Sequence, residues 1–152
     1  MSYIDELNQI VNERDAIYEK IAFLSGLPSL SFRILYIMRS NSDKSFIQSE
    51  IADEYSYSRK SVNSALLVLK NKNYIELVSK KGAGNKKTLS FTREGEEFAS
   101  KWVDPLIHAD DNSFLRFTKE EQENMLFLER KLLILFKEEL NKIGFKVGKQ
   151  NE

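Results

Sequence analysis

Basic side chains are concentrated in one stretch of this chain. Between Tyr55 and Arg93, nine lysines and arginines are opposed by a single acidic residue, Glu76, which gives this stretch a net charge of +8. The whole chain has 23 basic and 23 acidic residues, so the remainder carries a net charge of −8. A cationic segment in an otherwise acidic chain is suited to binding a polyanion such as nucleic acid.

A predicted helix from Ser58 to about Asn71 supplies the polar groups for such binding. Its apolar residues recur at helical spacing and define a buried stripe: Val62, Ala65, Leu66 and Leu69. The start of the opposite face presents the candidate DNA-binding residues Ser58, Arg59, Lys60, Ser61, Asn63 and Ser64. These side chains and the free N–H groups of the first turn can contact phosphates and base edges in a major groove. On this helix alone, an ordinary solvated N-terminus explains the same residues equally well.

Two neighbouring segments strengthen the nucleic-acid interpretation. Ser45 and Gln48 form an S-x-x-Q capping box that predicts a short helix through Glu54, and a short linker joins it to the Ser58 helix. Two helices so joined form a helix-turn-helix. The second of them is followed by predicted strands at 74–78 and 88–92, with a glycine-containing tip between them.

The hairpin tip is flanked by the candidate DNA-binding residues Lys80, Lys81, Lys86 and Lys87. One interpretation is that these lysines keep an exposed hairpin soluble and prevent edge pairing. The tip contains no acidic residue, whereas solvated surfaces usually mix both signs of charge. We therefore expect the hairpin to be a wing that contacts phosphate.

Long helices are predicted on both sides of this segment. Residues 3–25 form the first, and Ser29 is expected to cap a second that ends near Asn41. A helix from Arg93 is expected to bend near Pro105, and residues 110–113 are predicted to break it. Thr118 and Glu121 form a capping box for a last helix, 119–142, whose apolar residues at 125–128 and 132–136 exceed one buried face. We therefore expect a second copy of the chain to cover it.

Several classes of function are disfavoured by composition. The chain has no cysteine and one histidine, His108, so neither a thiolate redox sensor nor a metal site built from cysteines or several histidines is expected. We find no phosphate-binding loop and no nucleophile–base constellation, so we expect neither an enzyme nor a cofactor. The first residues do not resemble a signal peptide, and no apolar run approaches the ~20 residues of a membrane span. We expect a cytoplasmic protein that does not bind a membrane.

In element order the chain resembles the MarR family of bacterial transcriptional regulators. The matching residues are the stretches 46–52 and 58–63, Leu66 and Leu69, Tyr74 and Ile75, residues 89–92, and Gly95 after them. The resemblance implies a homodimer with paired recognition helices, flanking wings, and a ligand crevice between the dimer helices and the DNA-binding lobe. Many members carry Asp-x-Arg in the wing, where this chain has Ala83 and Asn85. The wing is therefore expected either to read DNA more weakly or to act through Lys86 and Lys87.

Together these observations predict a mainly α (α+β) fold in a single MarR-type domain, 1–152. Segments 1–28 and 110–145 are expected to form dimerisation helices around a winged-helix lobe, 29–95. The predicted function is a sequence-specific regulator of double-stranded operator DNA, a repressor released by a small-molecule effector. The alternative is a winged-helix protein-interaction module without DNA binding. The candidate effector-binding residues are Phe32, Tyr36, Arg39, Phe98 and Trp102, although core packing would also explain the aromatic ones.

Overall fold

The computed structural model of this chain describes residues 1–79 and 86–147. Its contacts group it into two compact units, Met1–Ile107 and His108–Glu152. The elements are α1 (Tyr3–Ser25), α2 (Ser29–Ser40), α3 (Gln48–Glu54), α4 (Arg59–Asn71), β1 (Ile75–Ser79), β2 (Lys87–Phe91), α5 (Arg93–Trp102), α6 (Asp104–Phe114) and α7 (Lys119–Lys142). The predicted fold class is confirmed: the described residues form seven helices and one antiparallel two-stranded sheet. The division into dimerisation helices and a DNA-binding lobe stays a prediction.

The core of the first unit is built around α2 and α4. The predicted stripe of α4 is buried, with Val62 and Leu69 fully inaccessible. It packs with α2, whose Ile34 and Leu35 are equally buried. Ser31 is buried among them, and its hydroxyl donates a hydrogen bond to the Ala65 carbonyl at 3.1 Å. This bond satisfies the one buried polar side chain of the described core and ties the two helices together.

The predicted start of α4 is confirmed and that of α3 is wrong. Ser58 caps α4, and its hydroxyl accepts the Ser61 backbone N–H at 3.1 Å. Ser45 does not cap α3, which begins at Gln48. There the Glu50 carboxylate accepts the Ile47 N–H at 2.9 Å. The residues before α3 instead contact the sheet, through a backbone hydrogen bond between Phe46 and β2.

Phe46 has a buried side chain, and its carbonyl accepts the Leu89 N–H at 2.8 Å. These tertiary contacts outweigh the local capping signal at Ser45. A similar local correction applies to Ser29. It is the first helical residue of α2, Pro28 precedes it, and no side chain caps that helix.

Both predicted strands exist, each displaced by one residue. Ile75 pairs with Phe91, Leu77 with Leu89, and Ser79 with Lys87. Thr92, predicted to end the second strand, instead caps α5, because its hydroxyl accepts the Gly95 N–H at 3.0 Å. The tip residues 80–85, including Lys80, Lys81, Ala83 and Asn85, lie outside the described residues.

The helix predicted after Arg93 is divided into two. α5 ends at Trp102 and α6 begins at Asp104, so Pro105 lies in the first turn of α6, where no backbone N–H is required. The predicted break at 110–113 is wrong. These short polar residues continue α6, and the Ser113 hydroxyl donates to the Ala109 carbonyl at 2.6 Å. Their weak helix propensity is insufficient to end the helix.

The predicted capping box of α7 is confirmed. The Thr118 N–H donates to the Glu121 carboxylate at 2.7 Å, and the Glu121 N–H donates to the Thr118 hydroxyl at 3.2 Å. Within the second unit, α7 has no buried residue, and Phe127 and Phe136 are 62% and 59% exposed. Its apolar surface is thus uncovered within a single copy of that unit.

In the first unit, α1 also leaves apolar side chains in solvent. Ala22 is its one buried residue, whereas Ile10 and Phe23 are 58% and 81% exposed. Over residues 1–79 and 86–147, no single helix is long and apolar enough to cross a membrane. Taken together, α1 and α2, which are joined at a bend of 100°, are long and apolar enough by length and composition alone. Helices of a protein core can pass the same test.

Gly95 is expected to be essential for the junction of β1 and α5. A Cβ atom at this position would overlap the Tyr74 carbonyl oxygen and lie 2.8 Å from the carbonyl carbon. Gly→Ala within a helix normally stabilises by up to about 1 kcal/mol. Here we expect Gly95→Ala to destabilise the protein by about 1–3 kcal/mol in urea unfolding, because rigid backbone must move.

Ser100→Ala is the matched control, since Ser100 is exposed in the same helix. It should be neutral or stabilise by about 0.5 kcal/mol. A Gly95→Ala protein as stable as the parent would show that the close approach of α5 to Tyr74 is incorrect.

Candidate nucleic-acid interface

The outward face of α4 is the centre of the candidate interface. Because its apolar stripe is buried, the side chains of Arg59, Lys60, Asn63 and Ser64 are exposed. Ser58 is occupied at the helix start, where it accepts the Ser61 N–H and donates to the Ser61 hydroxyl at 2.7 Å. Ser58 therefore positions the first turn of α4.

One side of α4 forms a concave surface with α3 and the root of the hairpin. We call it the wing groove; it has a volume of about 350 Å³ and is lined by Ile47, Gln48, Ser49, Arg59, Asn63, Lys86 and Lys87. The structure thus brings Arg59 and Asn63 from the helix together with two lysines from the hairpin. A single surface can therefore offer amide groups and cations at once, as contacts to bases and phosphates require.

Gln48 and Ser49 belong to the wing groove but were not among the predicted site residues. The Gln48 side-chain amide donates a hydrogen bond to Oδ1 of Asn63. This contact leaves the Asn63 NH₂ group as the donor that remains available. The sequence signal that could have identified them is a pair of polar residues at the start of the helix that precedes α4.

The other side of α4 faces the start of α2. Lys60, Ser61 and Ser64 line a shallow surface of about 550 Å³ with Leu30 and Val68. The Ser64 hydroxyl donates to the Lys60 carbonyl at 3.1 Å within the helix. The predicted residues of α4 therefore divide between two sides of the helix.

The cations of this interface are largely unpaired. Arg59 lies 3.7 Å from Asp53, and both side chains are about half exposed, so the pair is weak. Among the residues that the structure describes, Lys60, Lys86 and Lys87 form no ion pair. Their charges are available to an external anion.

The predicted effector-binding aromatics occupy different environments. Phe32 and Phe98 are buried, and Phe98 stacks on Tyr74 with ring centroids 4.5 Å apart. Tyr36 packs edge-on against Tyr18 at 5.7 Å. Trp102 is half-buried, with the Lys101 ammonium 5.3 Å from its ring.

Phe32 lines a groove of about 430 Å³ between α1, α2 and the turn before α4. We call this the α1–α2 groove; its lining residues are Asp15, Tyr18, Glu19, Ser29, Leu30, Phe32, Arg33, Ser56, Tyr57, Ser58 and Ser61. Tyr36, Arg39, Phe98 and Trp102 do not line it. The five predicted residues are therefore not gathered around this groove.

Arg39 joins three helices of the first unit. Its guanidinium donates to both Asp104 carboxylate oxygens, at 2.7 and 2.9 Å, and to Glu96. The hydrogen bonds with Asp104 are the main cause that raises the pKa of Arg39 further above its already high ordinary value. A ligand anion at Arg39 would have to compete with two carboxylates.

No protein-family model matches the sequence, and no curated protein gives a significant match. Similar solved structures include a MarR family regulator of Neisseria meningitidis, with 21% identity and a TM-score of 0.68 over 95% of this chain and 100% of that one. MarR of Oenococcus oeni has 16% identity and a TM-score of 0.72 over 90% of this chain and 99% of that one.

A third similar structure is that of a putative MarR family transcriptional regulator from Listeria monocytogenes in complex with a 26mer DNA. It has 18% identity and a TM-score of 0.65 over 97% of this chain and 99% of that one. At these identities the likeness establishes the fold, which is the winged-helix fold of MarR regulators.

We expect the Arg39 contacts to contribute measurably to stability. Arg39→Met keeps an apolar stem but leaves the Asp104 and Glu96 carboxylates without their guanidinium partner. Because the Arg39 and Asp104 side chains are only 25% and 27% exposed, the loss should be about 1–3 kcal/mol in urea unfolding.

Arg93→Met is the matched control, because Arg93 bonds Glu97 at 3.1 Å with both side chains mostly exposed. Its effect should stay below about 0.5 kcal/mol. Equal effects of the two substitutions would show that Arg39 contributes no more than a surface pair does.

Proposed function

We propose that this chain, which has the MarR-type winged-helix fold, is a sequence-specific DNA-binding transcriptional regulator. The observation that carries the proposal is the wing groove, where Arg59 and Asn63 of α4 lie beside Lys86 and Lys87 of the hairpin. The solved Listeria structure of the same fold was obtained with a 26mer DNA, which supports duplex DNA as the ligand class.

In the proposed complex, α4 enters the major groove of the operator. Lys60, Ser61 and Asn63 face base edges and adjacent phosphates, and Gln48 orients the Asn63 amide through its hydrogen bond. Lys86 and Lys87 meet the phosphate backbone or the minor groove. From the sequence, we expect Lys80 and Lys81, which lie outside the described residues, to bind the DNA as well.

The competing proposal is a winged-helix module that binds a protein and not DNA. The unpaired lysines at the hairpin root favour DNA, because a protein partner would have to present a matching acidic surface. Binding of duplex DNA with a sequence preference distinguishes the two proposals directly.

We propose that the regulator is a homodimer formed through α1 and α7. In the first unit α1 exposes Ile10, Ile17 and Phe23, and in the second unit no residue of α7 is buried. Exposed apolar side chains in such number on one helix are typical of an interface between subunits. Dimerisation would pair two recognition helices, and an operator requires them about 34 Å apart.

We further propose that a small molecule releases the DNA and that the protein acts as a repressor. The α1–α2 groove supports this idea because Phe32 and Tyr18 line it together with Ser58 and Ser61 at the start of α4. A ligand held there would favour one placement of α4 over another by its difference in affinity. Arg33 is a candidate anion partner in that groove: it lies 4.3 Å from the Tyr18 ring and, among the described residues, has a single carboxylate, that of Asp15, at 3.8 Å. Arg39, in contrast, is hydrogen-bonded to two carboxylates.

Two substitutions should affect DNA binding in different ways. The test uses a duplex enriched by the parent protein from a random-sequence library, with gel shifts over a range of salt concentrations. Lys86→Ala should weaken binding to all sequences similarly. It should also reduce the slope of the logarithm of the binding constant against the logarithm of the salt concentration by about one. Asn63→Ala should cost about 1–3 kcal/mol on the enriched duplex and little on an unrelated one.

Lys101→Ala is the control, because Lys101 is an exposed cation of α5 that does not line the wing groove. It should leave both the affinity and the salt slope near those of the parent. If Lys86→Ala and Asn63→Ala also match the parent, the proposed docking of α4 and the wing is wrong.

The assembly is tested by sedimentation at micromolar concentration. We expect the parent to be a dimer, and Leu133→Glu combined with Phe136→Glu to shift it toward monomer, because both side chains are more than half exposed on one side of α7. Glu138→Gln, also on α7, should leave the dimer intact. A parent protein that sediments as a stable folded monomer would exclude the proposed dimer.

A further inference from the structure

Leu67 is an apolar residue at the centre of an otherwise polar helix face. Its side chain is 58% exposed, although every other leucine of α4 is buried. Lys60, Ser64 and Asn71 lie on the same face at helical spacing, and all three are exposed. The face that we propose to meet DNA thus contains one large apolar side chain.

Packing within the first unit does not account for Leu67. The buried side of α4 is filled by Val62, Leu66 and Leu69, and Val68, on the side toward α2, is partly buried against the core. A single exposed leucine is common on protein surfaces and by itself carries no information. Its position is informative here because polar neighbours surround it on the helix proposed to enter the major groove.

The major groove displays one apolar group, the C5-methyl of thymine. An aliphatic side chain on a recognition helix can contact this methyl and can neither donate to nor accept from any other base edge. Leu67 lies four residues after Asn63, which places it about 6 Å further along the helix axis. That distance corresponds to at most about two base-pair steps of 3.4 Å.

We infer that Leu67 is a specificity-determining residue that contacts a thymine methyl in the operator, within two base pairs of the base that Asn63 contacts. This inference rests on the proposed function, since it requires α4 to lie in the major groove. The contact distinguishes thymine from cytosine, which lacks the methyl group, and complements the polar contacts of Asn63 and Lys60.

The test removes the methyl group from the DNA and the side chain from the protein. Duplexes enriched from a random-sequence library by the parent are remade with deoxyuridine in place of each thymine in turn. At one position, we expect this change to weaken binding of the parent about 3- to 10-fold, the scale of one buried methyl group. Leu67→Ala should lose a similar factor on the thymine duplex and show no further loss on the deoxyuridine duplex.

Leu67→Met is the matched variant, because methionine retains an apolar side chain of similar volume. It should keep most of the sensitivity to the methyl group. Since Leu67 is exposed, all three proteins should unfold at similar urea concentrations and sediment alike. A change in sedimentation for Leu67→Ala would place Leu67 in a protein interface and overturn the inference.

The inference and the proposed function fail in different ways. If the library yields no enriched sequence, the proposed function is wrong and the inference falls with it. If a sequence is enriched but every deoxyuridine substitution affects the parent and Leu67→Ala equally, DNA recognition stands and the role of Leu67 is excluded.

Discussion

The rotation of α4 about its own axis determines which side chains the interface can use. Burial of Val62, Leu66 and Leu69 against the first unit sets this rotation, and the bond from the Ser31 hydroxyl to the Ala65 carbonyl adds a directional constraint. Turning the helix by one residue, about 100°, would expose part of this stripe and bury polar side chains. The outward position of Asn63 and Lys60 is therefore a consequence of core packing.

Arg39 differs from Lys86 and Lys87 in its ionic partners. Arg39 is engaged by Asp104 and Glu96 and braces α2 against α5 and the first turn of α6. Lys86 and Lys87, in contrast, have no ionic partner within the described parts of the chain and stand beside Arg59. Part of the excess of positive charge between Tyr55 and Arg93 thus lies on a surface where cations can meet an anion supplied from outside.

Sequence patterns predicted the elements whose signals are local. The Ser58 cap, the α4 stripe and the Thr118–Glu121 box each depend on residues within one or two turns, and all are confirmed. The capping box predicted at Ser45 does not form, because the Phe46 carbonyl is hydrogen-bonded to the Leu89 N–H, more than 40 residues away in sequence. Such a contact leaves no periodic signal in the sequence. For the same reason, the meeting of Asn63 with Gln48 and Lys86 could not be derived from spacing. The break expected at 110–113 failed because weak helix propensity alone does not end a helix that is otherwise hydrogen-bonded.

The bond between the Leu89 N–H and the Phe46 carbonyl gives the hairpin root a second anchor besides the β1–β2 pairing. The root is therefore held on both edges of β2, whatever lies between Ser79 and Lys87. Doubling the length of such a connection costs only about 0.6 kcal/mol in closure entropy. Insertions or deletions there would change how far the hairpin extends while its base stays in register, so the length of the hairpin can diverge independently of α4.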